Sequence, residues 1–409
     1  MLLTFKTTLS LNKKQIEILE HISDSSRLLY NMMLSQKNKF YEKNQKHLSY
    51  YIQQKELKNI KDDYLTFDTK KEILRTLENN YKSFFTLIKN KNITVQSPRY
   101  RDKDYFFTLS YVQDFIIEDK NIIISLPKRK RLILKLNYNE PISNCSCKRS
   151  KTNESEIKQL KIFKKNNKFY ASIVYEKKEL KNEDNKVPIV IDLGKKNLVS
   201  YYDPTENKGV IFSSNLLSKN QKYYDKRTDE LKSIRDKKKK FSIKWKKAND
   251  KIKKLNSKKK TQTNLTLQKL SKDLSNLNTN IVIGELTNLK QNTLTKTNKL
   301  NRQMQNNWNL ATFIRLLEYK TQLKGNKVIK VNEAWTSKTC CKCGSINHDL
   351  TLANREYSCE CGNSIDRDIN GAINIYKQYT GDYSTPIDFD TLSISERFSW
   401  CRIRKMNEK

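Results

Sequence analysis

The sequence predicts a multidomain α+β protein: β segments interrupted by a helical block, then an α/β unit with a small cysteine module inserted into it. Three observations carry this reading. Residues 12 to about 90 contain neither Pro nor Gly and repeat apolar residues three and four apart, the period of a packed helix. Residues 105 to about 180 break into short runs rich in Ile, Tyr and Phe, the signature of strands. Beyond 187, three apolar runs alternate with helical stretches, and five of the eight cysteines crowd between 340 and 361. A chain of 409 residues is long enough for two or three domains.

Taken in order, residues 1–11 alternate weakly and form a first strand. Residues 12–95 are helical, with QIEILEHISDSSRLLYNMMLSQ as the clearest case. Residues 96–182 hold the strand-like runs YFFTLSY, FIIED, NIIISLP, LILKL and FYASIVYE. VPIVIDLG then opens a region spanning 183–335. It is a continuous apolar run ending in an acid, and it reads as a buried central strand. A strongly basic stretch follows, over 214–280. Between Arg235 and Lys260 it carries 14 basic residues and two acids. Phe241, Trp245, Ala248, Ile252 and Leu255 repeat there at 4-3-4-3, the seam of a packed helix. Its solvated side is either an ordinary charged face or the border of a nucleic-acid channel. NIVIGEL (280–286) is a second strand, residues 306–324 a helix, and KVIKVNEAW a third strand. The cysteine module covers 336–364, IDRDINGAINIYKQY starts a helix in 365–380, and 381–409 is a tail without a clear function.

The 81 Lys and Arg against 44 Asp and Glu give a net charge of +37. That excess points to a polyanionic partner. No apolar run approaches the ~20 residues of a membrane span, and MLLTFKTTLSLNKK lacks the pattern of a signal peptide. The expected partner is therefore nucleic acid and not a membrane. The expected location is intracellular, nuclear in a eukaryotic host and cytoplasmic otherwise. YYIQQK, SPRYRDKDYFF and PKRKRLILK mix bases with aromatics and are candidates for nucleic-acid contact, though each equally fits a solvated surface.

Cys340-x2-Cys343, a 15-residue gap, and Cys359-x-Cys361 place four thiolates in two pairs, with Gly344 and Gly362 after them. Four soft ligands on two tight turns suit one tetrahedral, structural Zn2+, and glycine lets each turn close. The second pair is one residue shorter than usual, Cys341 is expected not to be a ligand, and Cys145-x-Cys147 is expected to be incidental. Asp192 ends a buried strand, where an acid is costly unless it holds a cation. Asp366 and Asp368 open a helix. Asp366 suits a cap, and Asp368 in the first turn is free to reach the strand ends. Carboxylates gathered in this way can hold the two Mg2+ ions of a phosphodiester hydrolase, ~4 Å apart.

VIDLGKKN, IVIGEL, AWTSKTCCKCG and DRDINGAINI, in this order, resemble the motifs of transposon-encoded TnpB proteins. WNLATFIRLLEYKTQLKGNKVIKVNEAWTSKTC is similar to that family as well. The resemblance covers residues 187–376 closely and the N-terminal part by layout. It implies a RuvC-type nuclease domain with an RNase H-like sheet and a zinc ribbon inserted before the last motif. It also implies a β-rich wedge domain interrupted by a helical recognition domain. One departure stands out. Most TnpB proteins place a catalytic glutamate directly after the apolar triplet of the second motif. Here Gly284 fills that place and Glu285 comes one residue late, which in a strand means the opposite face. Glu333, at the end of the next strand, resembles the relocated acid of the Fanzor and serine-recombinase-transposon TnpB branch. The resemblance thus implies Asp192, Glu333 and Asp368 as the catalytic, Mg2+-holding acids, with Glu285 as the alternative.

The expected function is an RNA-guided, Mg2+-dependent DNA endonuclease encoded by a mobile element. It would cut double-stranded target DNA beside a short flanking motif, with a guide RNA from the element's end supplying sequence recognition. Two alternatives stay open: a zinc-ribbon, DNA-binding transposition regulator with an inactive nuclease site, and a strand-transferring transposase. Metal-dependent cleavage separates the first from the nuclease, and strand-transfer products separate the second.

Overall fold

A computed structural model describes residues 1–90, 95–118, 120–137, 155–177, 180, 186–194, 196–285, 310–351, 354–384 and 387–397. The Cys145/Cys147 pair lies outside these residues, as do Cys401 and residues 306–309 of the expected helix. The chain divides into two compact units, Met1–Lys178 and Glu179–Lys409.

The first unit starts with β1 (Leu2–Ser10) and α1 (Lys13–Asn44). Asn12 fixes the start of α1. Its side chain accepts from the Gln15 amide at 2.9 Å, while Gln15 Oε1 accepts from the Asn12 amide at 2.8 Å, a reciprocal capping box. α2 (Tyr50–Glu56) and α3 (Phe67–Lys89) follow, the latter capped by Thr66. Six strands complete the unit: β2 (Leu109–Tyr111), β3 (Phe115–Glu118), β4 (Asn121–Ser125), β5 (Arg131–Asn137), β6 (Ser155–Lys165) and β7 (Lys168–Lys177). They form an antiparallel sheet in the order β2-β6-β7-β1-β5-β4-β3. The helices therefore interrupt a sheet whose N-terminal strand pairs with strands more than a hundred residues later. Along β5, Leu132, Leu134 and Leu136 are buried while Arg131, Ile133 and Lys135 face outward, the alternation of a one-sided sheet. One apolar core joins Leu19, Ile22, Met33, Leu74 and Leu77 of the helices to these leucines.

The second unit is built on β8 (Ile189–Asp192), β9 (Asn197–Asp203) and β10 (Lys208–Ser213). The long helices α4 (Asn215–Asp236) and α5 (Ile243–Ser275) come next, then β11 (Ile281–Glu285), α6 (Leu310–Gln322) and β12 (Val328–Asn332). A two-stranded ribbon, β13 (Glu356–Ser358) and β14 (Ser364–Asp366), leads into α7 (Arg367–Thr380), and β15 (Ser393–Arg397) follows. The six-stranded sheet has the order β12-β11-β8-β9-β10-β15. β12, β11 and β8 run parallel, and β9 and β10 continue as antiparallel neighbours. This is the RNase H-like arrangement the sequence implies. α5 and α6 cover one face through Leu267, Leu270, Leu274, Phe313 and Leu317, which meet Ile189, Ile191, Ile281 and Ile283. Val190 and Val282 face the other way, onto Ile375 of α7.

Two expectations change. The basic seam does not begin at Phe241. That residue lies in the connection before α5, 65% exposed and at φ +67°, and Ser242 caps the helix. The buried seam starts at Ala248 and Ile252, because the helix that carries it starts only at Ile243. Within the stretch left as a tail, Ser393–Arg397 adds a parallel edge strand to β10.

Candidate active site and metal centre

Strand register decides which acids can meet. β11 pairs in parallel with β8 so that Ile283 is level with Ile191; one residue on, Gly284 is level with Asp192. On its other side Gly284 pairs with Val331 of β12, and two residues further is Glu333. Level residues on neighbouring strands share a face, and side chains alternate with a period of two. Asp192, Gly284 and Glu333 therefore share the face covered by α7. Glu285, paired with Asn332, has the parity of Ile281 and Ile283, which line the opposite face. Its side chain lies outside the described residues.

The glycine at 284 has a spatial consequence. A Cβ there would stand 2.6 Å from Oε2 and 3.0 Å from Cβ of Glu333. Glu333 thus occupies the room a side chain at 284 would need. The other two acids also meet a glycine. A Cβ at Gly371 would lie 3.3 Å from Oδ2 of Asp192, and one at Gly194 would lie 3.7 Å from Oδ2 of Asp368. The chain has only eight glycines, and three of them border the three acids.

Asp368 comes from the first turn of α7. Asp366 caps that helix, its side chain accepting from the amides of Asp368 (2.9 Å) and Ile369 (3.3 Å). This satisfies orphan donors of the first turn and leaves Asp368 to project over the sheet. Asn197 Nδ2 donates to Asp368 Oδ2 at 2.7 Å, and Arg355 donates to Oδ1 at 3.3 Å. Burial raises the Asp192 carboxyl well above the ordinary aspartate range. The charges of Asp368 and then Glu333 push it further up, and Arg367 pulls it back. Burial raises Glu333 as well.

Three hard-oxygen donors that repel one another suit divalent Mg2+. A consequence concerns the protein without Mg2+. Asp192 binds its proton more tightly folded than unfolded, so stability should fall as pH rises from the ordinary aspartate value through the raised one. Asp192→Asn should flatten that dependence and raise the melting temperature at neutral pH by a few degrees. Thermal melts across pH without added Mg2+ check this.

The sulfurs of Cys340, Cys343, Cys359 and Cys361 all lie within 4.8 Å of one another. This donor set matches tetrahedral Zn2+. Gly344 and Gly362 sit at φ +80° and +81° with nothing near the missing Cβ, which is what the two tight turns require. Cys341 is buried beside them, its thiol pushed up to about 11 mainly by burial, and it is not among the four.

The sequence did not single out the residues that tie this cluster to the acids. Asn370 and Asn374 are one turn apart on α7. Asn370 accepts from the Cys341 amide and donates to the Thr339 carbonyl, at 3.0 and 2.8 Å. Asn374 donates to the carbonyls of Thr336 and Thr339, at 2.8 and 2.6 Å. Thr336 in turn donates its amide and hydroxyl to the Glu333 carbonyl. Asn363 Nδ2 points at the sulfurs of Cys340 and Cys341, at 3.4 and 3.5 Å. The only sequence signal was the i, i+4 repeat of asparagine in INGAIN.

The candidate nucleic-acid segments are partly committed to structure. Arg101 packs over the rings of Tyr30 and Tyr105 and is held by Asn31. Lys128 pairs with Asp63 at 2.7 Å, and Gln53 of α2 is buried against the Met33 carbonyl. Lys237–Lys240 and Tyr51 are exposed. Among the described residues, no helix is long and apolar enough to cross a membrane.

Three family models match the chain: a Cas12f1-like TNB domain over residues 311–375, OrfB_IS605, described as "Probable transposase", over 172–294, and a helix-turn-helix domain, HTH_OrfB_IS605, over 1–46. In this chain residues 1–46 form one strand and one long helix. An inferred RNA-guided DNA endonuclease of Streptomyces pristinaespiralis is 38% identical over 112 residues, 27% of this chain and 26% of that protein. A TnpB-like protein of Acanthamoeba polyphaga mimivirus is 31% identical over 193 residues, 46% of this chain and 36% of that one. The chain thus spans about a quarter to a third of the length of these relatives. A Cas12f1 protein, solved by cryo-EM in complex with sgRNA and target DNA, superposes with a TM-score of 0.62 at 15% identity. That match covers 90% of this chain and 83% of the other and shows a shared fold.

Proposed function

We infer that this chain, which belongs to the TnpB family, is an RNA-guided, Mg2+-dependent DNA endonuclease of a mobile element. In this reading Asp192, Glu333 and Asp368 hold the catalytic metal. The observation that carries it is the placing of Glu333 in the space left by Gly284, level with Asp192 and beneath the helix that bears Asp368. Relatives named for RNA-guided cleavage and for TnpB support the same reading.

When bound, two Mg2+ ions would activate water and stabilise the leaving oxygen of a phosphodiester. The protein's own part is to hold the acids. Asn197 and Arg355 fix both oxygens of Asp368. Gly371 lets α7 lie close over Asp192, and the Thr336 contacts hold the backbone of Glu333. The four-cysteine module would bind one structural Zn2+, and the Fanzor-like relocation of the acid is part of the same proposal. Base pairing to a guide RNA from the element's end would select double-stranded target DNA beside a short flanking motif, while the basic surface holds phosphates.

That electrostatic share predicts strong salt dependence. The slope of log affinity for duplex DNA against log salt should be about −4 or steeper, at ~0.9 per phosphate neutralised. A titration from low to physiological salt that stays flat would contradict it. The function itself is tested by expressing the protein with its native flanking DNA and sequencing any RNA that co-purifies. A plasmid carrying the matching sequence is then supplied with Mg2+. A discrete RNA and a cut at the match are expected; heterogeneous RNA and no cut would refute the reading. The matching family model described as a transposase favours a second reading, strand transfer, which would appear as joined DNA products in the same reaction.

A further inference from the structure

Glu333 and the three residues after it make a tight turn, with the Thr336 amide donating to the Glu333 carbonyl at 3.3 Å. Trp335 is the third residue of that turn and has φ +66°. This position calls for Gly or Asn, because a Cβ at positive φ is strained. A bulky aromatic there is a genuine outlier. The conformation is held from several sides. The Trp335 carbonyl accepts from the Lys338 amide (2.9 Å), the Thr339 amide (3.0 Å) and the Thr339 hydroxyl (3.0 Å). The strain nevertheless yields no burial, since the side chain is 58% exposed. Its one ring neighbour among the described residues is His348, edge-on at 6.1 Å and 72°. Lys338 Nζ donates to the His348 carbonyl at 3.1 Å, tying that neighbour to the same turn.

Phe241 has the same backbone sign and exposure, but Trp335 alone of the two holds its rigid ring two residues from an acid of the candidate active site, where it offers a flat apolar face to a ligand. In a chain of net charge +37 that ligand is a nucleobase. It is an unpaired one, because a base within a duplex already has both faces stacked. We propose that Trp335 is a stacking platform for an unpaired base of the strand whose phosphate sits at Asp192, Glu333 and Asp368. His348 backs the ring, and the turn fixes the distance from the base to Glu333. Two residues of chain span at most about 7 Å, so base and acid act on one stretch of strand. The platform rests on the nuclease reading above. It is a positioning role and asks nothing of the indole chemically.

The test uses the full chain, purified free of nucleic acid, and a short oligothymidylate as probe. An abasic oligomer of the same length is the control. The chain has four tryptophans, so Trp335→Phe serves to assign the signal. Oligothymidylate should quench tryptophan fluorescence more than the abasic oligomer does, and Trp335→Phe should remove the difference while keeping affinity. Trp335→Gly should weaken oligothymidylate binding roughly five- to hundredfold without lowering the melting temperature, because Gly suits the turn. A purely structural Trp would instead give a lower melting temperature in Trp335→Gly and no rescue by Phe. Unchanged affinity in Trp335→Gly, equal quenching by the abasic oligomer, or no binding at all would overturn the platform. Where Trp335→Gly loses nothing but Glu333→Ala abolishes cleavage, the platform fails and the nuclease reading stands. Where the base stacks but no guided cleavage exists, the nuclease reading fails instead.

Discussion

Glu333→Ala should lower guided DNA cleavage by about a thousandfold or more, the scale of losing several kcal/mol of metal-mediated transition-state stabilisation, while nucleic-acid binding persists. Glu285→Ala should cleave normally, because strand parity gives position 285 to the face opposite Asp192. Gly284 supplies two companion variants. Gly284→Ala would put a Cβ 2.6 Å from Oε2 of Glu333, so the acid must move and cleavage should fall although no donor is removed. Gly284→Glu in the Glu333→Ala background should recover part of the activity, since position 284 is level with Asp192 and shares its face. Cleavage assays with binding measured in parallel decide this. Full activity in Glu333→Ala with loss in Glu285→Ala would reverse the assignment.

The second large effect is expected at the cysteines. Structural zinc contributes on the order of 10–16 kcal/mol in small zinc modules, and the ribbon's own sheet is small, two strands of three residues each, although Tyr357 and Ile365 also pack it against Ile369 and Ile373 of α7. Cys340→Ser should release the metal, lower the melting temperature and reduce cleavage at least about tenfold. The last expectation follows from the hydrogen bonds that run from Cys341 and Thr339 through Asn370 and Asn374 to Thr336 and the Glu333 carbonyl. Zinc content by mass spectrometry, thermal melts and cleavage rates report the three effects separately. Unchanged cleavage in a zinc-free protein would show that the ribbon does not support the acids.

Much of the second unit was legible in the sequence for physical reasons. A strand buried on both faces must be apolar throughout, so VPIVIDLG and NIVIGEL announced themselves. Paired cysteines at metal-ligand spacing have few other uses in such a chain. The register that sets position 285 one residue beyond the Asp192 level follows from the order of the apolar triplet and Gly284. The packing that makes the site work was not legible. Nothing in the sequence says that Glu333 fills the room at Gly284, that Asn197 holds Asp368, or that α7 grips the ribbon loop through two asparagines. Such contacts depend on residues brought together from far apart in the chain, and an Asn looks the same in a loop as in a clamp. The end of the chain was opaque for a similar reason. SISER is too short and polar to stand out as a strand, yet it pairs along β10. The opposite error, reading Phe241 into a helical seam, came from periodicity alone. The positive φ at Phe241 and the cap at Ser242 break the helix there.

The measurement that tests the account most directly is a guide exchange. The RNA that co-purifies with the protein is rebuilt with a new sequence in its guide portion, and the complex is incubated with Mg2+ and a plasmid carrying both the old and the new target. If base pairing selects the DNA, cleavage moves to the new target and is absent in Glu333→Ala. A cut that stays at the old site, or that occurs without RNA, would show that the protein and not base pairing selects the DNA, and would contradict the account.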